Sequence, residues 1–592
     1  MADWGTNVVA GDGPSLAFRS RRSPVLATRG CVASSQPLAT AAGLHVLRAL
    51  GGNAADAAVA VAAVLAVVEP CSTGLGGDMF ALHYDAARRK VEATNGSGRA
   101  PAGLTLDVLR RDVPKEDGEG GSRGIDQDAF RTSAHAVTVP GAAAGWEDFL
   151  NRHGSGRLSL AELLEAAADL AEGGFPVSPV TAHFWSRGMG LISRWSEASG
   201  MTEVPLSPDG SGRGPEPGEL VRNPDLARVL RDLGRLGARE GFYGGRTGRT
   251  IADAVQRCGG ALTEEDLQGH RTDFPDAISA RYRDVRLWQV PPNGQGIAGL
   301  IALRGLGALE EAGRIGRIEG EEGLAPSSAQ TMHAMVEMMR LGLADARAFV
   351  CDPDAGANAG GRAGGVGGTE WLLDEERISG RAVGLFDPGE AVVQGEADPA
   401  SGTVSFQVVD GEGNAVSFVN SNFMGFGTGI VPDGCGFTLQ NRGYGFSLDP
   451  GHPNALEPRK RPYHTIIPGI LTHCDTGELY ATLSNMGGYM QPQGHMQLTV
   501  DLVAGGVDPQ CAVDLPRFCI ADGTRSGVAM IEEGVSEEVV KELEGMGHSI
   551  QSGISSFSRS VFGRAQIIKR DRESGVLWAG SDGRADGCAM GY

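Results

Sequence analysis

The chain has 592 residues, including 90 glycines and nine cysteines, and it carries a formal net charge of −21 at pH 7. That charge argues against a nucleic acid or an anionic membrane surface as a partner, because both would repel the protein. The odd cysteine count, without a CxxC pair, fits neither a disulfide framework nor a zinc site. We therefore expect a reducing compartment and neither a metal nor another cofactor. The length allows about four domains or one elaborated α/β domain.

Two stretches of the sequence bear on secretion and membrane insertion. Residues 1–24 contain no apolar core of signal-peptide length, and their arginines follow the mildly apolar part instead of preceding it. The apolar run 57–68 is shorter than the ~20 residues that a membrane span needs. We therefore expect a cytoplasmic protein in which 1–24 is an N-terminal extension and 57–68 is a buried helix.

Helical patterns dominate as far as about residue 350. "PLATAAGLHVLRAL" predicts an amphipathic helix that ends at Gly51 and Gly52, and Asn53 is placed to cap the next helix. Thr263 stands three residues before Asp266, which is the spacing of a capping box. "SAQTMHAMVEMMRLGLADARAF" predicts a long helix, because its apolar residues recur at steps of three and four.

Four glycine-rich stretches separate these patterns and predict surface insertions: "VPKEDGEGGSRGIDQD", "PLSPDGSGRGPEPG", "GRIEGEEGLAPSS" and "DAGANAGGRAGGVGGTE". After residue 403 the chain changes to paired strands and tight glycine turns. A mixed α/β sandwich is the fold that this order favours, and no internal repeat is visible.

A nucleotide-dependent enzyme is a weak alternative. "TGLGGDMF" at 73–80 follows a helix instead of a strand and has no Gly-Lys-Ser/Thr ending, so it matches neither the dinucleotide fingerprint nor the P-loop. The 12 histidines show no His-Glu-x-x-His spacing.

Residues 401–422, "SGTVSFQVVDGEGNAVSFVNSN", predict a hairpin with its turn at "DGEGN", of the kind usually found at a surface. The preceding "FDPGEAVVQGEADPAS" is acidic and rich in residues that do not pack. Gly402 permits a strained backbone, which helps a neighbouring hydroxyl to attack the preceding carbonyl. If the bond before Thr403 is cut, Thr403 gains an α-amine and becomes a candidate nucleophile that carries its own base.

From about Val25 to its end the chain resembles the gamma-glutamyltranspeptidase family of N-terminal-nucleophile (Ntn) hydrolases. Ten segments carry the resemblance in order: "ASSQPLATAAGLHVLRALGGNAADAAVA", "TGLGGDMFALHYD", "VTVPGAAAGW", "GGALTEEDL", "VPPNGQGI", "HAMVEMMRLGLADARAFVCDP", "VVDGEGNAVS", "GFGTGIV", "HPNALEPRKRPYHTIIP" and "NMGG". The resemblance implies an α/β (α+β) fold, the Ntn-hydrolase four-layer αββα sandwich. It also implies an inactive precursor that cuts itself into a helix-rich large subunit, 25–402, and a small subunit, 403–592, which stay together as a heterodimer.

The resemblance also assigns catalytic positions. It places the nucleophile on Thr403 and a second hydroxyl, eighteen residues downstream, on Ser421. The new α-amine would have a pKa of ~7.7–8.0, against ~10.4 for a lysine, and is therefore the better base at neutral pH. The oxyanion pair falls on Gly487 and Gly488, whose N–H groups would each contribute about 3 kcal/mol.

The substrate pocket departs from the family pattern. Ser97 stands where an arginine binds the donor α-carboxylate, with Arg99 two residues on. Gly445 stands where an aspartate binds the donor α-amine, and Arg442 where a glutamine or glutamate is usual. Three further pocket positions are occupied by Asn422, His464 and Thr465.

These departures leave the acyl donor open. Arg442 or Arg99 would bind a substrate carboxylate, whereas no acid stands at the expected place for an ammonium, and Asp78 is one candidate to replace it. Glutaryl amides and oxamate, used by cephalosporin-acylase-like and amidohydrolase members of the family, are thus alternatives to γ-glutamyl donors such as glutathione. The resemblance implies a self-processing amidohydrolase or acyltransferase acting on a small molecule, and an uncleaved binding homologue is the alternative from another class.

Overall fold

The computed structural model describes residues 9–11, 13–15, 22–115, 124–198, 203–319, 325–354, 367–391, 402–521 and 527–592. Most of the predicted N-terminal extension, parts of three glycine-rich insertions and the acidic stretch 392–401 lie outside the described residues. Within them, no helix combines the length and apolar character that would let it cross a membrane.

The strands are, in chain order, β1 Val9–Gly11, β2 Gly13–Ser15, β3 Val25–Ala27, β4 Cys31–Ser34, β5 Asp78–Asp85, β6 Lys90–Gly96, β7 Phe175–Pro176, β8 Leu220–Val221, β9 Ile278–Tyr282, β10 Val285–Gln289, β11 Gly402–Val409, β12 Ala415–Phe423, β13 Gly469–His473, β14 Leu479–Met486, β15 Phe518–Ile520, β16 Ala529–Glu532, β17 Ile550–Ile554, β18 Arg564–Arg570, β19 Leu577–Ser581 and β20 Cys588–Gly591.

The α-helices are α1 Pro37–His45, α2 Ala54–Val68, α3 Leu106–Asp112, α4 Gln127–Thr132, α5 Ala142–His153, α6 Leu160–Gly173, α7 Pro179–Ala198, α8 Pro224–Ala238, α9 Arg246–Arg257, α10 Glu264–Gln268, α11 Gly296–Glu311, α12 Ala329–Phe349, α13 Thr369–Leu372, α14 Glu375–Leu385, α15 Met490–Val503, α16 Pro509–Asp514 and α17 Glu537–Gly545.

Two large antiparallel sheets form the centre of the molecule. One has the order β3-β19-β18-β14-β13-β10-β9 and the other β20-β4-β11-β12-β5-β6. Their facing sides enclose one apolar cluster, which includes Phe80, Val419 and Ile470. A second cluster lies between the six-stranded sheet and helices such as α2, α5 and α6. A third lies between the seven-stranded sheet and α11, α12 and α15. Three apolar layers between four structural layers confirm the predicted αββα sandwich.

The helix signals in the first half of the sequence are confirmed. α2 is buried along its whole length, as expected of a helix that is apolar on every side. Asn53 caps it by accepting hydrogen bonds from two backbone N–H groups, and Asp56 completes a capping box. Thr263 and Asp266 form the predicted capping box of α10. α1 continues into a π-helical turn that ends at Gly51, whose φ is 70°.

The predicted hairpin is present, but the expectation that it lies at the surface is wrong. β11 and β12 are the two central strands of the six-stranded sheet, between β4 and β5. Every residue of β12 is buried, because α2 covers one face of the hairpin and the seven-stranded sheet covers the other. The chain around Thr403 therefore lies in the interior of the sandwich.

Candidate active site

Thr403 lies at an irregular point of the central hairpin. Gly402 pairs with Phe423 and Val404 pairs with Asn420, so two residues of β12 oppose Thr403. One of them is Ser421. Bulges of this kind redirect side chains and are common beside active sites. The hydroxyl oxygens of Thr403 and Ser421 are 3.0 Å apart, and both residues are buried.

Ser421 Oγ is held in place by further donors. It accepts a hydrogen bond from the Phe423 N–H at 2.9 Å and a longer one, 3.4 Å, from Arg442 Nη2. Arg442 Nη1 in turn donates to Thr465 Oγ1 at 2.8 Å. The hydroxyl beside Thr403 is thus fixed by the backbone of its own strand and by a buried guanidinium.

Gly487 and Gly488 follow the end of β14 and have positive φ angles of 124° and 59°. Their carbonyl groups are bonded: Gly487 O accepts from Met490 N at 3.0 Å, and Gly488 O accepts from Gln295 Nε2 at 2.8 Å. In the part of the chain that the structure describes, neither glycine N–H donates a hydrogen bond. Two such N–H groups are suited to bind an oxyanion.

One cavity of about 1220 Å³ joins these groups, because Thr403, Gly487 and Gly488 all line it. Its volume suffices for a small organic substrate. Its described lining residues include no aspartate or glutamate. They include four arginines: Arg131, Arg187, Arg347 and Arg564.

The side chains that the sequence suggested for substrate contact do not line the described cavity wall. This holds for all five of them: Arg99, Asn422, Arg442, His464 and Thr465. Arg442 is fully buried, with its guanidinium 4.1 Å from the centre of the Phe423 ring. Burial lowers the pKa of Arg442 to about 9. This arginine lies behind the two hydroxyls and faces the protein interior.

The other predicted pocket residues also bind protein groups. Arg99 forms an ion pair with buried Asp352 at 2.8 Å. Asn422 Nδ2 lies 3.3 Å from Thr438 Oγ1. Gly445 does line the cavity and offers no carboxylate to an ammonium.

Asp78, the replacement acid considered from the sequence, lies in a buried network. It accepts hydrogen bonds from His464 Nε2 at 3.0 Å, Gln440 Nε2 at 2.9 Å and two backbone N–H groups. Burial lowers the pKa of His464 to about 4, so its ring is neutral at pH 7. Burial acts to raise the pKa of Asp78, but His464 and the charge of Arg442 hold it below its usual value. Asp78 thus compensates the charge of Arg442 inside the protein.

Two groups of side chains have the composition of a metal site: His83, Glu92 and His153, and His333, Glu337 and His548. The rings of His83 and His153 stack at 4.3 Å with planes 20° apart, so their lone pairs do not converge on one ion.

In the second group the ring nitrogens His333 Nδ1 and His548 Nε2 hydrogen-bond each other at 2.7 Å, and Arg340 binds Glu337. Neither group lines the cavity.

The four arginines of the cavity were not found from the sequence. They lie on α4, α7, α12 and β18, which are far apart along the chain. Arg347 stands in the segment "HAMVEMMRLGLADARAFVCDP", but none of the ten segments contains the other three, and only the folded chain brings the four together.

Comparisons with known proteins identify the family of the chain. The family model described as gamma-glutamyltranspeptidase matches residues 39–592. The glutathione hydrolase-like YwrD proenzyme of Bacillus subtilis is 34% identical, over 96% of this chain and 99% of the relative. The oxamate amidohydrolase proenzyme of Klebsiella pneumoniae is 32% identical over the same shares. The crystal structure of cephalosporin acylase from Bacillus halodurans superimposes with a TM-score of 0.82 at 36% identity, covering 99% of each chain.

A match over nearly the whole length, with the two-sheet sandwich of an Ntn hydrolase, shows that this chain belongs to the gamma-glutamyltranspeptidase family.

Proposed function

We propose that the chain is a precursor that cuts its own Gly402–Thr403 bond and then acts as an N-terminal-threonine amidohydrolase or acyltransferase. The observation that carries the proposal is that the Thr403 hydroxyl shares one cavity with the N–H groups of Gly487 and Gly488, which donate no hydrogen bond to any residue that the structure describes. Both sequence relatives described above are named proenzymes, which supports a processed product. Its large subunit would be 25–402, after an N-terminal extension, and its small subunit 403–592.

Self-cleavage begins with attack by Thr403 Oγ on the carbonyl carbon of Gly402. The new C–O bond forms as the C–N bond breaks, and the hydroxyl proton passes to the departing nitrogen, so an ester replaces the peptide bond. Water then hydrolyses the ester. The products are a carboxylate on Gly402 and a free α-amine on Thr403.

In turnover, that α-amine accepts the proton of Thr403 Oγ as the oxygen attacks the amide carbonyl of the donor. The N–H groups of Gly487 and Gly488 stabilise the oxyanion of the tetrahedral intermediate. The protonated amine then gives its proton to the leaving nitrogen, and an acyl-enzyme ester remains. Water or an amine acceptor releases the acyl group.

We propose a positioning role for Arg442, which acts through Ser421 and Thr465. Names of the relatives and of the structural neighbour support several donors: glutathione and other γ-glutamyl amides, oxamate, and the acyl amides of cephalosporins. The reaction class is common to all of them, because each has an amide carbonyl that a threonine hydroxyl can attack.

The proposal is tested with wild-type protein, Thr403→Ala and Thr403→Ser. Each is run on a denaturing gel and assayed with γ-glutamyl, glutaryl and oxamyl amides. We expect two bands and turnover for the wild type, a single band without turnover for Thr403→Ala, and slower processing for Thr403→Ser, which keeps a hydroxyl. A single wild-type band with ligand binding but no turnover would favour an uncleaved binding homologue.

A further inference from the structure

The cavity is a positively charged site in a protein whose net charge is −21. Two of its four arginines have partners that explain them. Arg564 forms an ion pair at 3.0 Å with Glu69, which is almost fully buried. Arg347 stacks on Tyr489, with its guanidinium carbon 4.3 Å from the ring centre.

Arg131 and Arg187 lack strong compensation. The acid near Arg131 is Asp128, at 3.7 Å, and its side chain is 86% exposed, so water screens the pair. Arg131 Nε is buried and has no hydrogen-bond partner among the described residues. Arg187 forms neither an ion pair nor a hydrogen bond with any residue that the structure describes.

The backbone around Arg131 is fixed to the cavity wall. Its carbonyl accepts a hydrogen bond from Asn441 Nδ2 at 3.0 Å. The next carbonyl, of Thr132, accepts one from Arg194 Nη2 of α7 at 3.0 Å. Since Arg187 is also on α7, this hydrogen bond joins the two helices that carry the weakly compensated guanidinium groups.

We propose that Arg131 and Arg187 form a carboxylate subsite, and that the acyl donor is a monoamide of a dicarboxylic acid. A guanidinium binds a carboxylate through two parallel N–H donors. A donor ammonium would meet four arginines and no acid among the described lining residues, and an unpaired ammonium is costly to desolvate. The inference rests on the proposed function, because it concerns the acyl group that Thr403 receives.

The test compares glutaryl, pentanoyl and γ-glutamyl p-nitroanilides, which have five-carbon acyl chains but differ in charge. Variants are Arg131→Gln, Arg187→Gln, Arg131→Lys and the control Arg235→Gln. Arg235 is an α8 residue with a 70% exposed side chain, outside the described cavity wall. Wild-type protein should have its highest kcat/KM with the glutaryl amide.

Arg131→Gln should lower kcat/KM for the glutaryl amide about 10- to 100-fold, the effect of losing a hydrogen bond to a charged group. Arg187→Gln should act in the same direction, and Arg131→Lys should retain part of the activity. The control Arg235→Gln should leave kcat/KM for the glutaryl amide unchanged. Turnover of the uncharged pentanoyl amide should change little in all four. Equal losses with glutaryl and pentanoyl donors, or a wild-type preference for γ-glutamyl or pentanoyl, would overturn the subsite.

If processed protein turns over neither these three amides nor oxamate, the proposed function fails, and a binding measurement then decides whether the subsite exists. Calorimetry with glutaric acid monoamide on Thr403→Ala, with and without Arg131→Gln, measures it directly. A loss of affinity of at least tenfold supports the subsite, and equal affinity overturns it.

Discussion

Ser421 and Arg442 illustrate, at the scale of residues, how a candidate site is assembled in layers. Thr403 faces the cavity, Ser421 lies beside it, and Arg442 lies behind Ser421 with its charge compensated by buried Asp78. Arg442, which the sequence suggested for substrate binding, therefore supports the two hydroxyl groups instead.

Ser421→Ala removes a hydroxyl that contacts Thr403 and leaves the buried Phe423 N–H without its acceptor. We expect a loss of stability of about 1–3 kcal/mol and a lower turnover. Ser417→Ala is the matched control, because the Ser417 hydroxyl lies on the same strand, is buried and bonds Gly469 N and Leu483 O away from the cavity. Urea unfolding and kcat separate the two effects: turnover that falls equally in both variants would contradict the role of Ser421.

Gly488→Ala places a side chain on a residue with φ of 59° in the cavity wall. The left-handed backbone alone should destabilise the variant by about 1–2 kcal/mol. Displacing an oxyanion donor should also reduce kcat, by up to 10²–10³-fold. Gly413→Ala is the control, since Gly413 has φ of 85° in the turn between β11 and β12, outside the described cavity wall. Unchanged kcat in a folded Gly488→Ala protein would place the oxyanion hole elsewhere.

At the scale of elements, α2 is the support of the central hairpin, because it packs directly on β11 and β12. Asn53 starts this helix by accepting hydrogen bonds from the N–H groups of Ala55 and Asp56, both at 3.0 Å. The Asn53 side chain also donates to His153 O at 2.7 Å and so ties α2 to α5.

Asn53→Ala should therefore lower the free energy of unfolding by about 1–2 kcal/mol, the upper half of the range for a lost cap. Turnover per folded molecule should be unchanged, because the cap is at the opposite end of α2 from Cys71 in the cavity wall. Denaturant titration and an active-site titration would check this. A selective loss of turnover would show that the cap also positions the site.

At this scale, the sequence predicted the features that depend on residues close together along the chain and missed those that depend on distant segments. The caps at Asn53 and Thr263 and the apolar periodicity of α2 and α12 are local, and the structure contains them. The interior position of the β11–β12 hairpin was missed because its two covering layers come from distant segments.

The candidate site divides in the same way. Thr403, Gly487 and Gly488 stand in segments recognisable by motif, and they share one cavity. Arg131 and Arg187 have no motif, because only the packing of α4 and α7 places them in the wall. Whether Arg442 points into the cavity or into the core also depended on tertiary packing.

At the scale of the whole molecule, buried neutral histidines should make stability depend on pH. Burial lowers the pKa of each of these rings to about 3 or 4: His83, His153, His270, His464, His495 and His548.

An unfolded histidine takes up a proton near pH 6.5, and the folded rings do so only near pH 3 or 4. Below pH 6.5 the unfolded state therefore binds more protons, and stability falls as pH decreases from about 6.5 towards 4. Each ring contributes up to ~1.4 kcal/mol per pH unit. Urea unfolding at pH 7.5, 6.5, 5.5 and 4.5 should show this slope. His495→Gln should reduce the slope by up to ~1.4 kcal/mol per pH unit, the contribution of one proton. A stability that is flat across this range would contradict the expectation.

The central claim is that Thr403 becomes an N-terminal residue by self-cleavage, and the intact mass of purified wild-type protein tests it most directly. Without added protease, we expect two polypeptides that separate between Gly402 and Thr403, the smaller comprising 403–592 with a free threonine amine, and a single uncut chain for Thr403→Ala. A full-length wild-type chain that nonetheless hydrolyses amides, or a cut at another bond, would contradict the account.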